Sequence, residues 1–151
     1  MKSKLKLLVV VASLILVATG CKSLFSSSEN AVATTAGKSC GKAISTLYKE
    51  YKKQNKIDVT NTTTLTSIVQ IAAARNVLKE NKNNTAFMSA FAVGLVSGSN
   101  NLITNLTSNN VINALLTLSS LNDITTNTPS NSTAANEAGK SLIPLVKSID
   151  K

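Results

Sequence analysis

The sequence predicts an all-α protein: a compact bundle of four to five short helices behind a flexible N-terminal tether. Three observations carry that expectation. Apolar residues recur at helical spacing along the second two thirds of the chain, and no stretch alternates apolar and polar residues at the period of a strand. Aromatics make up only 3% of the 151 residues and Trp is absent, so a core must be assembled from Leu, Ile, Val and Ala. Hydrophobic residues at 43% and charged residues at 15% suit a packed domain and not a disordered chain.

The first helix is expected from about Ser39 to Asn55. Cys40, Ile44, Leu47, Tyr48 and Tyr51 share one face there, while Lys42, Lys49, Glu50, Lys52 and Lys53 fall elsewhere. Asn61 and the threonines at 62–64 offer N-caps for a second helix, Leu65 to about Glu80, whose middle from Ile68 to Leu78 is apolar nearly all round. Residues 81–84 break the chain. Thr85 is then the expected cap of a short helix through about Ser97, along which Ala86, Ala90, Gly94 and Gly98 form a stripe of small residues that lets another helix approach closely.

Leu102, Ile103 and Leu106 suggest one or two further turns. Val111, Ile112, Leu115, Leu116 and Leu118 then build an apolar helix ending near Leu121. The polar run 122–133, which contains Pro129, reads as a loop. In the last segment Ala138, Leu142, Leu145, Val146 and Ile149 share a face, and Pro144 predicts a kink or a fresh helix start.

The N-terminus has a different organisation. Lys2, Lys4 and Lys6 precede an apolar run from Leu7 to Val17, broken only by Ser13 and closed by the small residues Ala18, Thr19 and Gly20 before Cys21. Charge, apolar core and small residues in that order are the layout of a secretory signal. An uncleaved membrane anchor is the alternative, but a spanning helix needs about 20 apolar residues and Lys22 stands immediately behind this shorter run.

Val17-Ala18-Thr19-Gly20-Cys21 resembles the lipobox of bacterial lipoproteins, with Ala18 where Leu is usual. The resemblance covers about 21 residues. It implies cleavage between Gly20 and Cys21, a diacylglycerol on the Cys21 sulfur, and often a further palmitate-type chain on the new amine. Residues 1–20 are then a signal peptide, 21–37 a lipidated tether of small and polar residues without helical period, and 38–151 the helical domain. More than one acyl chain makes such anchoring stable. Lys22 after the cysteine, and Glu29 standing without an acidic cluster, favour the outer membrane, facing the periplasm.

The formal charge of +9 loses Lys2, Lys4 and Lys6 with the leader, leaving thirteen basic and seven acidic residues. An exported protein rarely meets nucleic acid, so the membrane, reached through lipid at Cys21, and an envelope protein are the expected partners. Lys42, Lys49, Lys52, Lys53 and Lys56, together with Lys38 before them, are candidates for contact with an anionic surface. A solvated face near the C-terminal dipole of the first helix is the plainer account of them.

The residue inventory offers catalysis little. His is absent, and the acids do not pair at close helical spacing. Gly37-Lys38-Ser39 and Gly139-Lys140-Ser141 imitate the end of a phosphate-binding loop but lack its earlier glycine. Ser39 and Lys42 fit an S-x-x-K spacing that recurs at Ser3 and at Ser148. Once Cys21 is acylated, Cys40 has no intrachain partner and is expected as a buried structural thiol. No catalytic residue, cofactor or metal site is expected. The first functional reading is a non-catalytic, membrane-anchored envelope lipoprotein with a binding or scaffolding role. The second is a carrier of a lipid or other apolar ligand in a helical cavity.

Overall fold

A computed structural model describes residues 26–149 of the chain. Among them the architecture is all-α, with no strand: α1 (Ser26–Gln54), α2 (Thr62–Glu80), α3 (Thr85–Gly98), α4 (Asn105–Thr117), a short 3-10 helix (Ser119–Asp123) and α5 (Thr133–Ser148). The apolar periodicity thus located part of every α-helix, the first only from about Ser39 onward, and the physics of their ends explains the boundaries. Asn61 begins α2 because its side-chain oxygen accepts from Thr63 N and Thr64 N, satisfying donors that have no partner within the helix. Asn84, and not Thr85, caps α3, by accepting from Phe87 N. Thr104 and Thr107 form a reciprocal capping box on α4, and Ser132 caps α5. Asn55 ends α1 in the left-handed region, at φ 58°, a conformation asparagine tolerates better than most residues.

Two expectations are corrected. The tether assigned to residues 21–37 is helix from Ser26 onward, so α1 runs 29 residues and is not short. Val32, Ala33 and Ala36 are buried in the same core as Ile44 and Leu47. The physical reason lies in what faces them, described below. The earlier part of the tether, 21–25, and the signal segment 1–20 lie outside the described residues. Pro144, expected to kink or restart the last helix, sits inside α5, which continues to Ser148, so the helix does not start afresh there. Pro144 lies on the exposed side of α5, where a lost main-chain hydrogen bond costs least.

Glycines on α1 and α3 hold the bundle together. Gly37 lies against the backbone of Phe91 and Leu95, and Gly41 against Leu95 and Ser99. Gly94 lies against Thr34 and Lys38, and Gly98 against Lys38. Rising numbers meet rising numbers, so α1 and α3 run parallel, and α2 returns the chain between them. The contact is reciprocal. A methyl group built on any of these four glycines would fall onto a main-chain carbonyl oxygen of the facing helix. Of the small-residue stripe expected on α3, Gly94 and Gly98 are buried and make the approach, Ala90 is half-buried, and Ala86 is exposed. Their counterpart on α1 is the i, i+4 series Ala33, Gly37, Gly41 and Ser45, all buried.

Around this pair, α2 contributes Ile68, Ile71, Ala74 and Leu78, α3 Phe91 and Leu95, α4 Leu115, and α5 Leu142, each essentially removed from solvent. Full burial of a Leu, Ile or Phe stabilises by roughly 1.5–3 kcal/mol, and aliphatic side chains supply most of it here, as the scarcity of aromatics required.

Candidate functional site

Of the residues the sequence nominated, Gly20 and Cys21 lie outside the described residues. The basic set does not. Lys42, Lys49, Lys52 and Lys53 are all exposed on α1, and Lys56 follows the helix, just past the left-handed Asn55. At 3.6 residues per turn, Lys42, Lys49 and Lys53 share an arc of about 60° with Lys38, spread along about 22 Å of helix. Lys38, one turn before Lys42, is exposed as well. The rest of the helix circumference is used for packing, with Ala36, Cys40, Ala43, Ile44 and Leu47 buried.

The structure separates Lys52 and Lys56 from this face. Lys52 sits at its edge and lines a cleft of about 300 Å³ between α1 and α5, with Tyr48, Tyr51, Asn55, Val146 and Lys147. Lys56 stands near Asp58. The Thr60 hydroxyl and N–H both donate to the Asp58 carboxylate and hold its pKa below the ordinary value, and the charge of Lys56 acts in the same direction. Tyr48 and Tyr51 are half-buried against the core, which is the packing role expected of them.

Glu50, the acid nearest these lysines, is turned away from them. One of its carboxylate oxygens accepts from Asp58 N at 3.1 Å and the other from the buried Thr64 hydroxyl. It therefore ties the end of α1 to the start of α2, and its charge is directed into that junction.

One residue escaped the sequence reading. Arg75, the only arginine in the chain, lies in the middle of α2 and is 3% exposed. Its Nε donates to Leu115 O at 2.7 Å, one terminal nitrogen to Leu116 O at 3.2 Å and the other to Asn122 Oδ1 at 2.5 Å. Those two carbonyls belong to the last turn of α4, where the helix dipole is negative and carbonyls lack helical donors. Burial lowers the guanidinium's pKa. The detectable signal was a lone Arg within an otherwise apolar helix.

Cys40 is fully buried and unpaired, and burial pushes its thiol up to about 12. A thiol so protonated and enclosed is a poor nucleophile. Both lysine-serine imitations of a phosphate loop lie inside helices: 37–39 in α1 and 139–141 in α5. Neither stands at the strand-to-helix turn that a phosphate cradle needs. Ser39 and Lys42 lie one turn apart on α1, Ser39 half-buried and Lys42 exposed.

Among the described residues no three His, Cys, Asp or Glu side chains converge as a metal site, and no helix is long and apolar enough to cross a membrane. Comparison with protein-family models, with curated proteins and with solved structures finds no match to this chain.

Proposed function

We infer that this chain is a lipid-anchored envelope lipoprotein, attached through Cys21 at the outer membrane facing the periplasm, whose helical body binds or scaffolds another envelope component without catalysis. The observation that carries the reading is Val17-Ala18-Thr19-Gly20-Cys21 standing where a signal cleavage site must fall, behind a basic start and a short apolar run. The fold adds support of a different kind. Its helices bury their apolar faces in one core, and its most concentrated charge is an exposed lysine face, an arrangement suited to surface recognition.

The test is chemical. Wild-type chain expressed in a diderm bacterium should incorporate labelled fatty acid and yield a mature mass beginning at an acylated Cys21. Cys21→Ser should lose the label and leave an unprocessed precursor. A Cys21→Ser product that is still labelled and cleaved refutes the anchor.

The second reading, a carrier of a lipid or other apolar ligand, has one observation in its favour: the cleft of about 300 Å³ between α1 and α5. That volume is at the lower end for ligand pockets. Its two lysines and two tyrosines suit an amphiphile with an anionic head better than a plain hydrocarbon. Binding of a fluorescent fatty acid that is lost in Lys147→Glu would favour this reading, and absence of binding would remove it.

A further inference from the structure

We propose that the α1 face carrying Lys38, Lys42, Lys49 and Lys53 is a docking surface for the anionic phospholipid headgroups of a bilayer, on which α1 lies flat. The proposal rests on the lipid-anchor reading for what brings the body to a membrane; the surface itself is read from α1. The four lysines occupy one exposed arc, and between Ala31 and Gln54 no Asp or Glu falls on that arc. Glu50, the only acid in that stretch, has both carboxylate oxygens engaged by the α1–α2 junction. Thr35 and Thr46, which lie beside the lysines, are small and uncharged, so nothing bulky holds the ammonium groups off a flat surface.

α3 packs beside this face, with the main chain of Lys38 against Gly94 and Gly98, and residues 83–122, spanning α3 and α4, contain no charged side chain. The elements beside the face on that side therefore add no charge that competes with it. Lysine stems reach outward along apolar surface while their heads stay in the polar layer, which suits them to headgroup contact.

The length of chain before α1 permits this orientation, and the lysines select it. Helix begins at Ser26, five steps after Cys21, and five steps reach at most about 17 Å. An anchor so short keeps the start of α1 beside the bilayer. Upright, α1 would carry Lys53 about 40 Å away from the surface; flat, it sets all four lysines on it.

The experiment uses chain 22–151, made without leader or acyl group, which holds every described helix and the whole described core. It is mixed with vesicles of phosphatidylcholine alone or of phosphatidylcholine with phosphatidylglycerol. Binding is expected to the anionic vesicles only and to weaken as salt rises from about 0.1 to about 0.5 M. Each lysine near an anionic surface changes binding about 5-fold, so Lys38→Gln, Lys42→Gln, Lys49→Gln and Lys53→Gln together should weaken it by several hundred-fold. Lys79→Gln, Lys82→Gln and Lys140→Gln together, off the face, should weaken it less than about 5-fold.

A dye at Thr46→Cys should be quenched by headgroup-labelled lipid, and a dye at Asn109→Cys should not. Equal loss in the two lysine sets, or equal quenching at the two dyes, overturns the proposal. Absence of binding to anionic vesicles overturns it in favour of an acidic protein surface as the occupant. Because this chain carries no acyl group, the result is independent of the lipid anchor. Intact-mass analysis of the exported protein decides that reading separately.

Discussion

Replacing Gly94 by Ala should destabilise this protein, although helix propensity alone predicts the reverse. In a helix interior Ala is favoured over Gly by about 1 kcal/mol. Here the added methyl would land on the Thr34 carbonyl oxygen and stand 2.8 Å from Lys38 N, and both obstacles are main chain of α1. Neither can rotate away as a side chain would, so α1 and α3 must separate. Overpacking of a well-packed contact costs about 1–3 kcal/mol, and a clash with rigid backbone belongs at the upper end. The expected net effect is a loss of about 2 kcal/mol, or roughly 8 °C in Tm for a body of this size.

Urea unfolding of chain 22–151, followed by helical circular dichroism, measures it. Gly139→Ala supplies the internal control, because the nearest atom to its new methyl is Val59 Cγ1 at 2.9 Å, the end of a side chain in the α1–α2 connection. That variant must displace one methyl of Val59, which offsets the propensity gain of about 1 kcal/mol, so it should be close to neutral. A Gly94→Ala protein as stable as Gly139→Ala would refute the backbone contact on which the parallel α1–α3 arrangement rests.

Other perturbations address the remaining features. Arg75→Met leaves the Leu115 and Leu116 carbonyls without their guanidinium donor and should cost about 2–3 kcal/mol; Arg75→Lys should recover only part of that, since an ammonium cannot reproduce the three-way fork. Urea midpoints of the two variants check this, and full recovery by Lys would show that charge alone matters. Asn61→Ala removes the α2 cap and should cost about 1 kcal/mol in the same assay. Cys40 should resist a thiol reagent at pH 8 in the folded protein and react rapidly in urea.

Cys40 also predicts a pH dependence. The folded pKa is raised from 9.0 to about 12, so above pH 9 the unfolded chain releases a proton that the folded chain retains. Stability from this group is therefore complete below about pH 9 and declines towards pH 12, by up to about 1.4 kcal/mol per pH unit. Cys40→Ala should lack that component of the alkaline slope; an identical slope in both proteins would show that the thiol is not buried.

How much of the protein was legible in its sequence varied with the kind of contact each helix makes. The helices containing Ile44 and Leu47, Ile68 to Leu78, Val111 to Leu115 and Leu142 to Val146 bury large side chains at a regular period. Their positions follow from the pattern of apolar residues. The first three turns of α1 do not advertise themselves in that way. Among the described side chains there, Val32 aside, the buried residues are Ala33, Ala36 and Gly37; Ala33 and Gly37 belong to the series that faces α3, where only small residues fit between two close backbones. Hydrophobic periodicity is blind to such a seam; a matching i, i+4 series of small residues on two segments is the signal that finds it.

The lysines divided similarly. Their presence on the first helix was readable, but which of them share a face with Lys38, and that Glu50 turns inward to Thr64, depended on where α2 and α5 dock. Helical class, the caps and the order of the chain are local properties, set by residues within a few positions of one another, and the sequence by itself determined them. The reach of α1 back to Ser26, the burial of Arg75 against the end of α4 and the isolation of one basic face are decided by neighbours distant along the chain. Only the tertiary structure brings those together, because close backbone approach and dipole contacts leave no periodic trace in the residues that make them.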